Sequence, residues 1–177
     1  MELTPNLTAA QVMSRLELEP HPEGGFFRET FRAADVVQTA RGARSLATGI
    51  LFLLTRASCS RLHRLASDEL WVHQAGAAVE LVMLPTSGGP AEVITLAAPD
   101  MPPGCGPRPA GGCRPQAAVP AGVWQGAHLA ADAGGVEWGL VACVVVPGFD
   151  CADFELGERD ALLSEFPQEA ELIIEFS

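Results

Sequence analysis

The 177-residue chain contains no lysine and no tyrosine, so all 11 of its basic residues are arginine. Those absences exclude a Schiff-base lysine, a P-loop lysine and a tyrosine general acid. Positive charge is scarce overall: 22 acidic residues leave a net charge of −11. A surface of that sign argues against nucleic acid as a partner, because phosphates demand a basic face. Long apolar runs are also missing. The longest, Leu46 to Leu54, is about half of the roughly 18 residues that a membrane helix needs, so no membrane partner is expected. The first twenty residues carry neither a basic n-region nor an apolar run of signal-peptide length, and a cytoplasmic location is the expectation. Cysteines number five, an odd count that suits no disulfide framework. Cys59, Cys143 and Cys151 read as small buried residues or bystanders, while Cys105 and Cys113 flank a loop in which they could pair.

What is present is a succession of short apolar runs. Thr8 is placed as the N-cap of a first helix, which two prolines, Pro20 and Pro22, bring to an end. From Phe26 to Val146 the pattern changes to strands: Phe26–Arg32, Leu46–Leu54, Ser60–Leu65, Glu69–Gln74, Ala78–Leu84, Ala91–Leu96, Pro115–Val119, Val123–Ala130 and Val136–Val146. Turn-forming Gly, Pro, Ser and Asp residues separate several of them. Such spacing predicts an all-β sandwich, jelly roll or small barrel, and argues against alternating βαβ units. Residues 97–114 are rich in Pro and Gly and read as an inserted loop. Glu158–Phe166 reads as a second short helix, and Leu172–Phe176 as a returning last strand. No repeat or linker divides the chain, so residues 1–177 are expected to form one domain.

The segment from Ser60 to Gly76 carries the candidate chemistry. Alternation along strands places Arg61 and His63 on one face, and Glu69, Trp71 and His73 on one face of the next strand. If both faces point into a barrel, an imidazole, a carboxyl group and a guanidinium converge in an apolar cavity. They could then bind metal, relay protons or hold an anion. A second segment, Val119-Pro120-Ala121-Gly122-Val123-Trp124-Gln125, enters a later strand through a Pro-x-Gly turn. His21, in a proline-rich turn, and His128 read as bystanders.

Together these segments resemble the paired motifs of the cupin superfamily. His63 matches the second histidine of the first motif, Glu69 its acid and Gly76 its closing glycine; Pro120 and Gly122 match the second motif. Departures accompany the matches. Arg61 stands where the first histidine belongs, the His63–Glu69 gap is one residue longer, and Gln125 replaces the second-motif histidine. Pro20–Thr30, Ser67–Trp71, Val119–Gln125 and Pro147–Gly157 resemble more narrowly a small single-domain branch, cupin family five. The likeness covers about residues 14–167.

The resemblance implies a double-stranded β-helix (the cupin jelly roll) with short terminal helices, a pocket in the barrel and a homodimer. Three functions follow as expectations. The first is an epimerase- or isomerase-like enzyme acting by proton transfer on a small polar or anionic, sugar-like metabolite, with His63 as base and Glu69 as acid. The second is a metal-dependent cupin, a dioxygenase, decarboxylase or isomerase whose divalent ion is held by His63, Glu69 and Gln125. The third is a binding module without chemistry. Arg28, Arg61, Trp71, Trp124, Gln125 and Glu23 complete the expected binding set, with the arginines clamping an anion.

Overall fold

The computed structural model describes residues 6–86, 89–98, 113–131 and 135–177. A helix, α1 (Ala9–Leu16), opens the chain. Thr8 caps it in a reciprocal box with Gln11, and Glu17 ends it in the left-handed region. The strands are β1 (Glu19–Pro20), β2 (Phe26–Arg32), β3 (Val36–Thr39), β4 (Gly42–Ser45), β5 (Thr48–Thr55), β6 (Ser60–Leu65), β7 (Asp68–Gly76) and β8 (Val79–Leu84). They continue with β9 (Glu92–Leu96), β10 (Gln116–Val119), β11 (Trp124–Leu129), β12 (Trp138–Val146) and β13 (Phe154–Leu156). Helices α2 (Arg159–Glu165) and α3 (Ala170–Glu175) close the chain.

Two antiparallel sheets carry the fold. One has the order β1-β2-β5-β12-β7-β10 and the other β13-β6-β11-β8-β9; β3 and β4 form a separate hairpin. This arrangement is all-β and consistent with a jelly roll. Inward residues of both sheets, among them Phe52, Trp71, Val79, Leu81, Leu129 and Val141, meet in the main core. Strand alternation selects them, because every second side chain of a half-buried strand faces the opposite sheet.

The helices pack on the outer faces. On the six-stranded sheet, Val12 and Leu16 of α1 pack against Leu53, Trp138 and Leu140. On the five-stranded sheet, Leu162 of α2 and Ile173 of α3, with Phe166 and Phe176, pack against Leu62, Val82, Leu84 and Trp124. The last segment is thus helix rather than the strand expected at Leu172–Phe176. Ile173 and Phe176 lie three apart and share the buried side of a turn, which lets both reach the sheet. The hairpin β3–β4 was not legible as strands either. No described helix is long and apolar enough to cross a membrane. Most of the 97–114 loop, including Cys105 and hence its pairing with Cys113, lies outside the described residues.

Candidate functional site

Between the sheets lies a cavity of about 360 Å³, buried at one end and open at the other. Its buried end is made by Glu23, His63 and Glu69, which reach it from three different elements.

Glu23 comes from the turn between β1 and β2. Gly24 and Gly25 both have positive φ, and a Cβ on Gly24 would lie 2.1 Å from the Cys59 carbonyl oxygen. Only glycine permits that approach, which presses the turn onto the start of β6. Arg61 fastens it there. Its backbone N–H and its Nε donate to the Glu23 carbonyl at 3.0 and 3.3 Å, and its Nη2 donates to the Pro22 carbonyl at 2.8 Å. The Glu23 carboxyl group then accepts from Ser60 Oγ at 2.7 Å and places Oε2 3.3 Å from His63 Nε2 and 3.4 Å from His21 Nδ1.

His63 stands on β6 with its Nδ1–H donating to the Arg61 carbonyl at 2.8 Å, and its ring stacks on Phe154. That bond leaves Nε2 as the atom turned to the Glu23 carboxyl group. Burial lowers the imidazole's pKa, against the opposing pull of Glu69. Glu69, near the start of β7, accepts from Gln125 Nε2 at 2.5 Å through Oε2. Gln125 is held in turn by Trp71 Nε1, which donates to its Oε1 at 3.0 Å. Residue 125 lies opposite His63 in the β6–β11 ladder, so it shares the inward face of that sheet, and its amide reaches Glu69 on β7 of the facing sheet. Burial pushes both carboxyl groups up to about 7. At Glu23 the main opposing influences are His21 and Ser60; at Glu69 they are His63, Gln125 and the nearby Trp71 indole.

The walls are Phe27, Ile50, Phe52, Leu65, Trp71, Val145, Phe149 and Phe154, and Cys143 adds a buried thiol that desolvation keeps protonated. Glu29, Arg32, Asp150 and Cys151 stand at the open end. Arg32 reaches it because the β2–β5 register shifts between Glu29 and Phe31, a bulge that changes the strand's alternation.

Among the residues expected from the sequence, the structure brings His63, Glu69, Trp71 and Glu23 to the cavity and sets Gln125 directly behind Glu69. Three lie elsewhere. Arg28 has the opposite strand parity to Phe27 and Glu29, and forms a 2.6 Å ion pair with Glu17 outside the barrel. Arg61 has the parity of His63 but sits at the end of β6, where backbone carbonyls of the neighbouring turn take its guanidinium. Trp124 faces outward beneath α2 and α3, with the Arg64 guanidinium 4.5 Å from its ring centre. Sequence reasoning missed His21, Arg32, Cys143 and most of the aromatic wall. The inward parity of Phe27 and Glu29 was a usable signal; the bulge behind Arg32 was not.

The donors do not fit the divalent metal that the motif resemblance implies. The Gln125 carbonyl oxygen is taken by Trp71 and its N–H₂ is turned to Glu69, so the amide offers an ion no free oxygen. Among the described residues no group of three or more His, Cys, Asp or Glu side chains is arranged to hold an ion. His73, whose Nε2 lies 3.0 Å from the Ala77 carbonyl oxygen, adds none.

Two antiparallel sheets around an acid–histidine cavity define a cupin-type fold. The chain belongs to the family described as cupin superfamily (DUF985), whose model matches residues 10–157. A hypothetical protein from Leishmania major is 34% identical with a TM-score of 0.84, over 97% of this chain and 99% of that one. A protein from Shewanella oneidensis is 33% identical with a TM-score of 0.81, over 97% and 98%. More distant is an oxalate decarboxylase from Bacillus subtilis, at 11% identity and a TM-score of 0.54, over 93% of this chain and 38% of that chain; this likeness concerns the fold alone. No curated protein matches the sequence.

Proposed function

We propose that the barrel cavity is an acid–base site that moves a proton on a small, sugar-like metabolite without help from a tightly held metal. The observation that carries this reading is the contact between His63 Nε2 and Glu23, with Glu69 at the same buried end. An imidazole lowered by burial and two carboxyl groups raised to about 7 exchange protons near neutrality at little cost.

In this reading the substrate presents a C–H next to a carbonyl group. Neutral His63 removes that proton at Nε2, while Nδ1–H stays on the Arg61 carbonyl and holds the ring. Protonated Glu69 donates to the developing oxyanion, taking the part that a tyrosine would take in a chain that had one. Glu23, between His63 and His21, stabilises the imidazolium and gives its proton a path outward. Returning the proton to the same or the opposite face of the carbon gives exchange or epimerisation. Aromatic walls suit the apolar faces of a sugar ring, and carboxyl groups suit its hydroxyls.

The test is solvent deuterium exchange, followed by NMR, on a panel of keto-sugars with their amino and phosphorylated derivatives. Exchange is expected with at least one. It should fall by about 10²-fold or more in His63→Ala, with folding of the variant checked by circular dichroism because the imidazole is only 2% exposed. No exchange across the panel, together with ligand-induced thermal stabilisation, would favour the binding module instead.

A further inference from the structure

The expectation of an anionic ligand rested on Arg28 and Arg61, and both guanidinium groups lie outside the cavity. Among the described residues Arg32 is the one arginine that lines it, and three of its five N–H donors are already engaged. Nε and Nη2 bond the Glu29 carboxylate at 2.9 and 2.6 Å, and Nη1 donates to the Phe149 carbonyl at 3.4 Å. Asp150 adds a further negative charge beside it.

Deeper in the cavity, the groups that can bear charge are two carboxyls and two imidazoles, with burial disfavouring the imidazolium form of His21 and His63. The two oxygens of Glu23 are engaged with Ser60 and the imidazoles. Glu69 is different: it is only 6% exposed, and its Oε1 accepts no hydrogen bond from any described residue while the side chain lines the cavity. The rings of Phe27, Phe52, Trp71, Phe149 and Phe154 line the same cavity. An anion in this space would meet carboxyl groups and the negative faces of rings. A cation would meet a carboxylate oxygen open to the cavity and ring quadrupoles of the favourable sign.

We propose that the cavity takes a metabolite bearing a protonated primary or secondary amine, with an ammonium N–H on Glu69 Oε1 and the carbon skeleton against the phenylalanine rings. A quaternary ammonium lacks the N–H that Oε1 would accept. The assignment rests on the acid–base reading for its catalytic meaning: the amine would hold the carbon with the mobile proton beside His63, and with Glu69 ionised as its counter-ion the ammonium N–H would take over the donation to the developing oxyanion.

Three probes of one shape test it: benzylammonium, benzyl alcohol and benzoate. Each is titrated calorimetrically at about pH 8 into wild type, Glu69→Gln and Phe154→Leu, with folding checked by circular dichroism. Benzylammonium is expected to bind wild type at least about tenfold more tightly than the alcohol, with benzoate weakest. Glu69→Gln should bring the ammonium down to the level of the alcohol, and Phe154→Leu should weaken the ammonium more than the alcohol. Should Glu69→Gln not fold, the wild-type ranking and Phe154→Leu decide. The proposal is overturned by tightest binding of benzoate, by no binding of benzylammonium at millimolar concentration, or by an ammonium preference that survives Glu69→Gln. Proton exchange is a separate readout. A panel without exchange, in a protein that selects benzylammonium, defeats the acid–base reading and leaves this one; exchange on a phosphorylated sugar without amine binding does the reverse.

Discussion

Glu69 has one oxygen on the Gln125 amide and the other turned to the cavity, and burial has raised its pKa to about 7 from an ordinary value of 4.5. A carboxyl group raised in this way stabilises the fold below its unfolded pKa and loses that contribution as pH rises through its folded pKa, because the native state binds the extra proton. The buried histidines act in the opposite direction: His63 and His21 are lowered, so their contribution is present above the ordinary 6.5 and lost as pH falls. In wild type the two trends partly cancel. Glu69→Gln removes one of them, so the variant should gain stability relative to wild type progressively between about pH 4.5 and 7. The gain should reach up to about 3 kcal/mol, before discount for relaxation of the site. Urea unfolding of both proteins across that range checks it; a difference that does not change with pH counts against a buried Glu69.

At the level of the element, the hairpin β3–β4 is tied across the molecule to the short 3₁₀ turn Cys151–Asp153. Arg44 forms two hydrogen bonds to the Asp153 carboxylate at 2.8 and 2.9 Å, and Arg41 Nε adds a third at 3.0 Å. These guanidinium bonds hold the Asp153 carboxyl group below its ordinary pKa. Asp150 and Cys151, just before it, stand at the cavity's open end. Asp153→Asn keeps the shape and removes the charge, so it should lower the urea midpoint and speed amide exchange in residues 36–45. Uniform exchange, unchanged in the hairpin, would mean that the strands hold without the ion pairs. The strands β2 and β6 were readable to the residue because their apolar runs end in turn signals. The hairpin was not, since its residues face solvent and its anchor is more than a hundred positions away in the chain.

Across the whole molecule, α1 covers only part of the outer face of the six-stranded sheet. Phe31 is 54% exposed and Val146 49%, and Leu70, Val72 and Val144 on the same sheet remain only half-buried. An apolar sheet face of this kind is costly in water and is suited to a second copy of the chain, in keeping with the dimer that the cupin resemblance implies. Light scattering at micromolar concentration is expected to give about twice the 18.6 kDa of one chain. Phe31→Glu should shift it toward the monomer. A monomeric wild type would leave the apolar face without an occupant of this kind.

Period-two alternation, turn residues and the His63-to-Gly76 motif were local signals, and they determined the all-β class, most strand positions and the candidacy of His63 and Glu69. Local signals cannot report which distant groups compete for a side chain. The carbonyls of Pro22 and Glu23 took Arg61, Glu17 took Arg28, and the two C-terminal helices took Trp124. The turn that carries Glu23 to His63, the bulge that returns Arg32 and the aromatic wall of the cavity likewise arise from contacts between segments distant in the chain. Hence the sequence determined which residues could do chemistry. Tertiary structure decided the sign of the cavity's charge, because that sign depends on which carboxyl groups and which arginines end up inside.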